Sequence, residues 1–135
     1  MISHDTKIRV LYKHTDQMGV VHHSNYINFF EAARTELMRE IGLTYAEVER
    51  RGIMMPILDV HIKYQQPARY DEVITVRASI AQMPMARVNF DYEVIGKDGR
   101  AIATGSTTLG FIDSLSRRPQ RAPQWLVEVL RPHVE

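Results

Sequence analysis

Cysteine is absent from the 135 residues, which removes a thiol nucleophile, a disulfide framework and any cysteine-ligated zinc or iron-sulfur centre. An excess of charge of one sign is missing too. Seventeen Lys and Arg against sixteen Asp and Glu leave a formal charge of +1, so no broad field exists to hold nucleic acid or an anionic membrane. Any anionic partner must be met by local groups. No apolar run approaches the roughly 18 residues of a membrane-crossing helix, and the start MISHDTKIRV has neither the basic nor the apolar region of a secretory signal. The expectation is a cytoplasmic protein without a membrane span. The usual catalytic signatures are also missing: no GxSxG elbow, no glycine-rich phosphate loop, no GxGxxG and no HExxH.

What is present is an ordinary globular balance, 44% hydrophobic and 24% charged, which suits one domain over residues 1–135. Lys7 to Lys13 alternates Ile8, Val10 and Tyr12 against Arg9, Leu11 and Lys13 and predicts a first strand. From about Ser24, Tyr26, Phe30, Ala33, Leu37 and Ile41 recur at helical spacing opposite a polar stripe of Asn28, Glu31, Thr35 and Arg39, with Gly42 as the C-terminal stop. Thr44 and Glu47 form a capping-box signature for a short second helix ended by Gly52. After Pro56 the period changes to two. Three strands are predicted around Leu58–Tyr64, Val73–Ile80 and Ala86–Val94, then a GKDGR turn, a last strand Ala101–Ile112, and a short helix around Gln124–Leu130. Ala101, Ala103 and Gly105 make one face of the last strand unusually small, leaving room for the long helix and its aromatic residues to pack close. The order describes an α+β domain with an antiparallel sheet of about five strands wrapped around a central helix. Open sheet edges favour association, so a dimer that continues the sheet is expected.

Polar groups crowd one place. TDQMGVVHHSNY, Thr15 to Tyr26, sets a carboxylate, two imidazoles and a helix N-terminus within a dozen positions. The first turn of a helix offers unpaired N–H groups and a positive dipole end, suited to an oxygen that becomes negative during attack on a carbonyl. A carboxylate beside it can attack the carbonyl carbon or deprotonate the water that does, and a thiolate leaving group suits both routes. The imidazoles of His14, His22 and His23 with Asp16 have no recognised metal-ligand spacing, and neither a metal nor a cofactor is expected.

The segment TDQMGVVHHSNYINFFEAARTE resembles the signature of the hotdog-fold thioesterases of the 4-hydroxybenzoyl-CoA thioesterase and acyl-CoA thioester hydrolase family. YQQPARYDE and the late FID extend the similarity across nearly the whole chain. The resemblance implies a hotdog fold, with Asp16 as the catalytic carboxylate and a backbone N–H at or beside His23 polarising the thioester carbonyl. Many members have Tyr-His where this chain has His22-His23; His23, Asn25 and Tyr26 match. A glutamate on the helix serves another hotdog branch, but with Asp16 present Glu31 is assigned to the polar stripe.

The residues also have structural readings. Asp16 can form an Asx turn, and His23 is a positioning residue rather than the base. Ser24 is expected to cap the helix through its hydroxyl rather than act as a nucleophile, since no base and third partner follow at recognisable spacing. Asn25 and Tyr26 can orient the loop or line an acyl pocket, and His22, Ser24, Asn25 and Tyr26 together form the expected substrate-binding set. Met18, Phe29, Met54 and Met55 are apolar candidates for the acyl group. A coenzyme A nucleotide would need arginines; Arg69, Arg87, Arg117 and Arg118 are candidates, with Arg117 and Arg118 in SRRP the preferred pair. The reading is hydrolysis of a coenzyme A or acyl-carrier-protein thioester by a homodimer or homotetramer. Two alternatives are a hotdog dehydratase or hydratase and a non-catalytic module that binds acyl thioesters.

Overall fold

The computed structural model describes all residues 1–135. In chain order the elements are β1 (Ile2–Arg9), a 3-10 turn (Tyr12–His14), α1 (Asn25–Glu40), α2 (Tyr45–Arg50), β2 (Ile53–Met54), β3 (Ile57–Tyr64), β4 (Val73–Ile80), β5 (Arg87–Ile95), β6 (Ala101–Asp113), β7 (Pro119–Gln120) and α3 (Gln124–Val134). Five long antiparallel strands run in the order β1-β4-β5-β6-β3, and the two-residue strands β2 and β7 flank the far end of β6. No helix is long and apolar enough to cross a membrane.

The sheet wraps α1 because period-two and period-3.6 faces meet. Ile74, Val76, Ala78 and Ile80 of β4 and Val88, Phe90, Tyr92 and Val94 of β5 are all buried, as are Tyr26, Phe29, Phe30, Ala33, Leu37 and Met38 of α1. Close approach is possible at Gly105: a Cβ there would lie 2.5 Å from Phe30 Cε2 and 2.6 Å from the His61 carbonyl oxygen. Phe30 lies flat on Tyr92, with centroids 4.2 Å apart and planes 4° from parallel. The expected small face is therefore real at Ala103 and Gly105, whereas Ala101 is exposed.

Several boundaries differ from the sequence reading. The first strand is Ile2–Arg9 rather than Lys7–Lys13, because β1 pairs with β4 from Ile2↔Ile80 to Arg9↔Val73 and its inward positions include the polar His4 and Thr6, which weaken the alternation. Val10 leaves the ladder, and Tyr12 sits in the 3-10 turn, exposed to solvent. In β3 the predicted apolar face is only half covered. Leu58 is 52% and Tyr64 50% exposed, since β3 is an edge strand that pairs with β6 alone. Ala86 precedes β5, and α3 runs on to Val134 with Pro132 in its last turn. Only the forward half of the predicted capping box forms. Thr44 Oγ1 accepts from Glu47 N–H at 3.2 Å, but the Glu47 carboxylate turns to Arg50 and Arg51.

Candidate active site

The segment from Thr15 to Val21 folds back on itself as a tight loop. Asp16 N–H donates to Val20 O at 2.9 Å, Gly19 N–H donates to Asp16 O at 3.0 Å, and Met18 N–H donates to Asp16 Oδ1 at 2.8 Å. Gly19 takes φ 77°, a left-handed conformation that glycine adopts without Cβ strain. The Asx turn is thus formed, and it fixes one carboxylate oxygen in place while using only part of the accepting capacity of the group. Val21 N–H donates to Ala68 O, and Val20 bridges Arg69, so the loop is sewn to the segment between β3 and β4.

Where that segment meets the start of α1 lies a cleft of about 310 Å³ lined by Asp16, Met18, Val20, Val21, His23, Tyr26 and the run Tyr64–Pro67. Of the sequence-derived residues, Asp16, His23, Tyr26 and Met18 come together here. The His22 N–H is used by His14 O, the Asn25 N–H by His22 O and the Tyr26 N–H by His23 O. The His23 N–H has no hydrogen-bond acceptor within the chain. Its carbonyl, by contrast, accepts from Tyr26 N–H at 3.3 Å and from the Tyr64 hydroxyl at 3.1 Å. Burial pushes the Tyr26 phenol up to about 12, so it stays protonated over the physiological range.

The other expected residues are placed differently. Ser24 stands at the helix start with α-helical φ and ψ, and its side chain makes no capping bond. Its hydroxyl instead meets His22 Nδ1 at 2.8 Å, which corrects the expected cap: a residue already in the helical region points its hydroxyl away from the N–H groups two and three positions on. His22 stacks on His23 with centroids 4.1 Å apart. Asn25 Nδ2 donates to His14 O at 2.9 Å and so ties the helix start to the 3-10 turn. Phe29 is core. Met54 contacts Arg117 Nη1 through its sulfur. Arg117 and Arg118 follow Asp113 at the end of β6, whereas Tyr64 pairs with Ala103 at its beginning; the strand between spans roughly 30 Å. Within one chain the SRRP pair is therefore remote from the cleft.

Sequence reasoning passed over Tyr64 and Gln65 as site residues, although they open the quoted YQQPARYDE. It also missed Arg34, which sits on the buried stripe of α1 four residues after Phe30 and is 3% exposed. Its Nε donates to Tyr45 Oη at 2.6 Å and its Nη1 to Tyr92 Oη at 3.0 Å, while Tyr92 Oη also meets Thr107 Oγ1 at 2.7 Å. Burial opposes the guanidinium charge, but the two phenol oxygens outweigh it and hold its pKa up. Larger depressions exist on the outer sheet face. The biggest, about 750 Å³, is lined by Ser3, Asp5, Arg77, Ser79, Asp91 and Glu93, with Arg77 paired to Asp5 and Glu93, and reads as a solvated surface.

Residues 10–130 match the thioesterase-like superfamily. Among curated relatives, the acyl-CoA thioester hydrolase YbgC of Escherichia coli is 25% identical over 89% of this chain and 90% of its own length. Among solved structures, a DHNA-CoA thioesterase from Staphylococcus aureus is 31% identical with a TM-score of 0.87 over 100% of this chain and 97% of that one. The hypothetical protein TT1821 from Thermus thermophilus is 35% identical with a TM-score of 0.90 over 98% of both chains. With its sheet wrapped around one central helix and its match running almost from end to end, the chain belongs to the thioesterase-like superfamily and has the hotdog fold.

Proposed function

We propose that the protein hydrolyses acyl-CoA thioesters in the cleft at the start of α1. The observation that carries this reading is the joint lining of one cleft by the Asp16 carboxylate and by His23, whose N–H is left without an acceptor. The thioester carbonyl oxygen takes the His23 N–H and the positive end of α1, which stabilise it most as it gains charge. Asp16 acts in one of two ways. As a base it removes a proton from water, whose oxygen adds to the carbonyl carbon; the tetrahedral adduct then collapses and expels the thiolate. As a nucleophile it forms an acyl-carboxylate anhydride with loss of the thiolate, and water cleaves the anhydride. Tyr26 and Met18 line the space beside the reacting carbon, and an acyl-carrier-protein thioester would enter by the same chemistry.

The unpaired edge of β3 supports a homo-oligomer in this reading. β3 presents exposed Ile57, Leu58 and Tyr64, whereas the opposite edge, β1, presents charged Asp5, Lys7 and Arg9. A second copy pairing along β3 covers the apolar edge.

The deciding experiment measures free thiol release from benzoyl, short-chain and long-chain CoA esters, with a crotonyl ester monitored in parallel for hydration. Thiol release from any member of the panel supports hydrolysis. Hydration without thiol release favours the dehydratase reading, and saturable binding without turnover favours a binding module.

A further inference from the structure

The peptide between His22 and His23 carries the N–H assigned to the thioester oxygen, and its two edges are held unequally. On one edge His22 O accepts from Asn25 N–H at 3.0 Å, while the His23 N–H on the other has no acceptor in the chain. In a trans peptide the two groups point opposite ways, so whatever fixes the plane of this peptide aims the donor. Packing does not fix it, because His22, His23 and Ser24 are all exposed. Polar contacts must do so.

His22 supplies them from its own side chain. Ser24 N–H donates to His22 Nδ1 at 3.3 Å, and the Ser24 hydroxyl meets the same nitrogen at 2.8 Å. The N–H contact closes a ring that runs from Nδ1 through the His22 side chain and along the backbone to the Ser24 nitrogen, with the His22–His23 peptide inside it. It has the form of an Asx turn in which an imidazole nitrogen takes the place of the carboxamide oxygen. The His22 ring also lies on the His23 ring, with planes 32° from parallel. Neither His22 nor Ser24 lines the cleft, and His22 Nε2 has no partner in the chain that would orient the ring as a base toward the Ser24 hydroxyl. What the two side chains hold is the backbone.

We propose that His22 is a positioning residue: its Nδ1, latched to Ser24, sets the plane of the His22–His23 peptide and aims the His23 N–H at the carbonyl oxygen as that oxygen gains charge. This rests on the hydrolase reading and deepens it. An aimed donor acts mainly in the transition state, so the latch raises kcat and leaves KM alone. What position 22 must provide is an acceptor two bonds beyond Cβ, which asparagine has and phenylalanine lacks.

The test compares His22→Phe, which keeps a ring against His23 but no acceptor, with His22→Asn, which returns an acceptor without the ring. Against the most reactive CoA ester of the panel, kcat falls about tenfold in His22→Phe with KM within about twofold of wild type, a part of the roughly 10²–10³-fold that a whole oxyanion donor contributes. His22→Asn recovers kcat to within about threefold of wild type. His22→Leu replaces His22→Phe if that variant fails to fold. Equal kcat in all three proteins, equal losses in both variants, or a loss carried by KM overturns the latch. Ser24→Ala keeps the N–H contact and loses less kcat than His22→Phe; a larger loss marks the hydroxyl as a nucleophile and overturns the latch too. Should the wild type cleave no ester of the panel, the hydrolase reading falls, and amide hydrogen exchange decides the latch alone: slower exchange of the Ser24 N–H in wild type than in His22→Phe upholds it, and equal exchange overturns it.

Discussion

The Tyr64 hydroxyl at the end of β3 donates a 3.1 Å hydrogen bond to the carbonyl of His23, two residues before α1. The bond joins the sheet edge to the backbone that presents the His23 N–H, and Tyr26 N–H reinforces it from the helix side. In Tyr64→Phe the ring contacts with His23 and Tyr26 remain but the hydroxyl is lost. A hydrogen bond of this kind contributes about 0.5–1.5 kcal/mol. The expected outcome is a fall in kcat/KM of up to about tenfold with a melting temperature lowered by no more than about 5 °C, read by steady-state thioester hydrolysis beside a thermal melt. An unaltered kcat/KM would detach Tyr64 from the site.

Asp16→Asn retains an Oδ1 for the Met18 N–H, so the Asx turn and the fold should persist. Turnover should drop by about 10²–10⁴-fold, the usual contribution of a positioned base. A single turnover of wild type in ¹⁸O-water bears on the two roles: label in the Asp16 carboxylate identifies a nucleophile whose anhydride is opened at the Asp16 carbon, whereas label confined to the product acid is the outcome both for a base and for an anhydride opened at the acyl carbon. Unchanged turnover in Asp16→Asn would remove the residue from the chemistry.

The two faces that make the fold were readable because β4, β5 and α1 keep their periods without interruption, and each position expected inside at Ile74–Ile80 and Val88–Val94 is buried. The ends of elements were not. β1 hides behind the inward His4 and Thr6, and the exposure of Leu58 depends on β3 lacking a second neighbour, a property of topology that no local window contains. At the site, Asp16, His23 and Tyr26 lie in one contiguous stretch, so their nearness is local. Tyr64 arrives from forty residues away through strand pairing, and Arg34 looks like an ordinary helix residue until Tyr45 and Tyr92 close over it.

Gly105→Ala should destabilise the protein by about 1–3 kcal/mol or more, because the added methyl meets the Phe30 ring and the His61 carbonyl together. Chemical denaturation measures this directly. Since the carbonyl belongs to the paired β3 backbone, Phe30→Leu in the same chain should recover only part of the loss. Full recovery would show that the ring alone sets the limit.

Stability should depend on His14 below neutral pH. Its Nδ1 accepts the Leu11 N–H at 2.8 Å, which requires the neutral ring, and burial, helped by Lys13, lowers its pKa from 6.5. The unfolded chain therefore binds this proton more readily than the folded one. The contribution is complete above pH 6.5 and is lost as pH falls through the lower folded value. Denaturation midpoints measured from pH 8 to pH 5 should decline less in His14→Gln than in wild type; parallel declines would show that His14 carries none of the dependence.

Ser24→Ala should change stability by less than about 0.5 kcal/mol, as for an exposed side chain outside any cap. A loss near 1 kcal/mol, the value of an N-cap, would show that the hydroxyl caps α1 in solution. Thermal melts at matched pH resolve the two.

Arg34 is the single buried charge of this protein, and no carboxylate lies within ion-pairing distance of it. Its two neutral acceptors stand at the start of α2 and in the middle of β5, and the second of them, Tyr92, is bonded in turn to Thr107 in the middle of β6. Positions 34, 45, 92 and 107 are thereby yoked: losing any one strands a polar partner in the interior, while exchanging all four for apolar residues of matching volume leaves nothing stranded. Redesign of this core must treat them as one quartet.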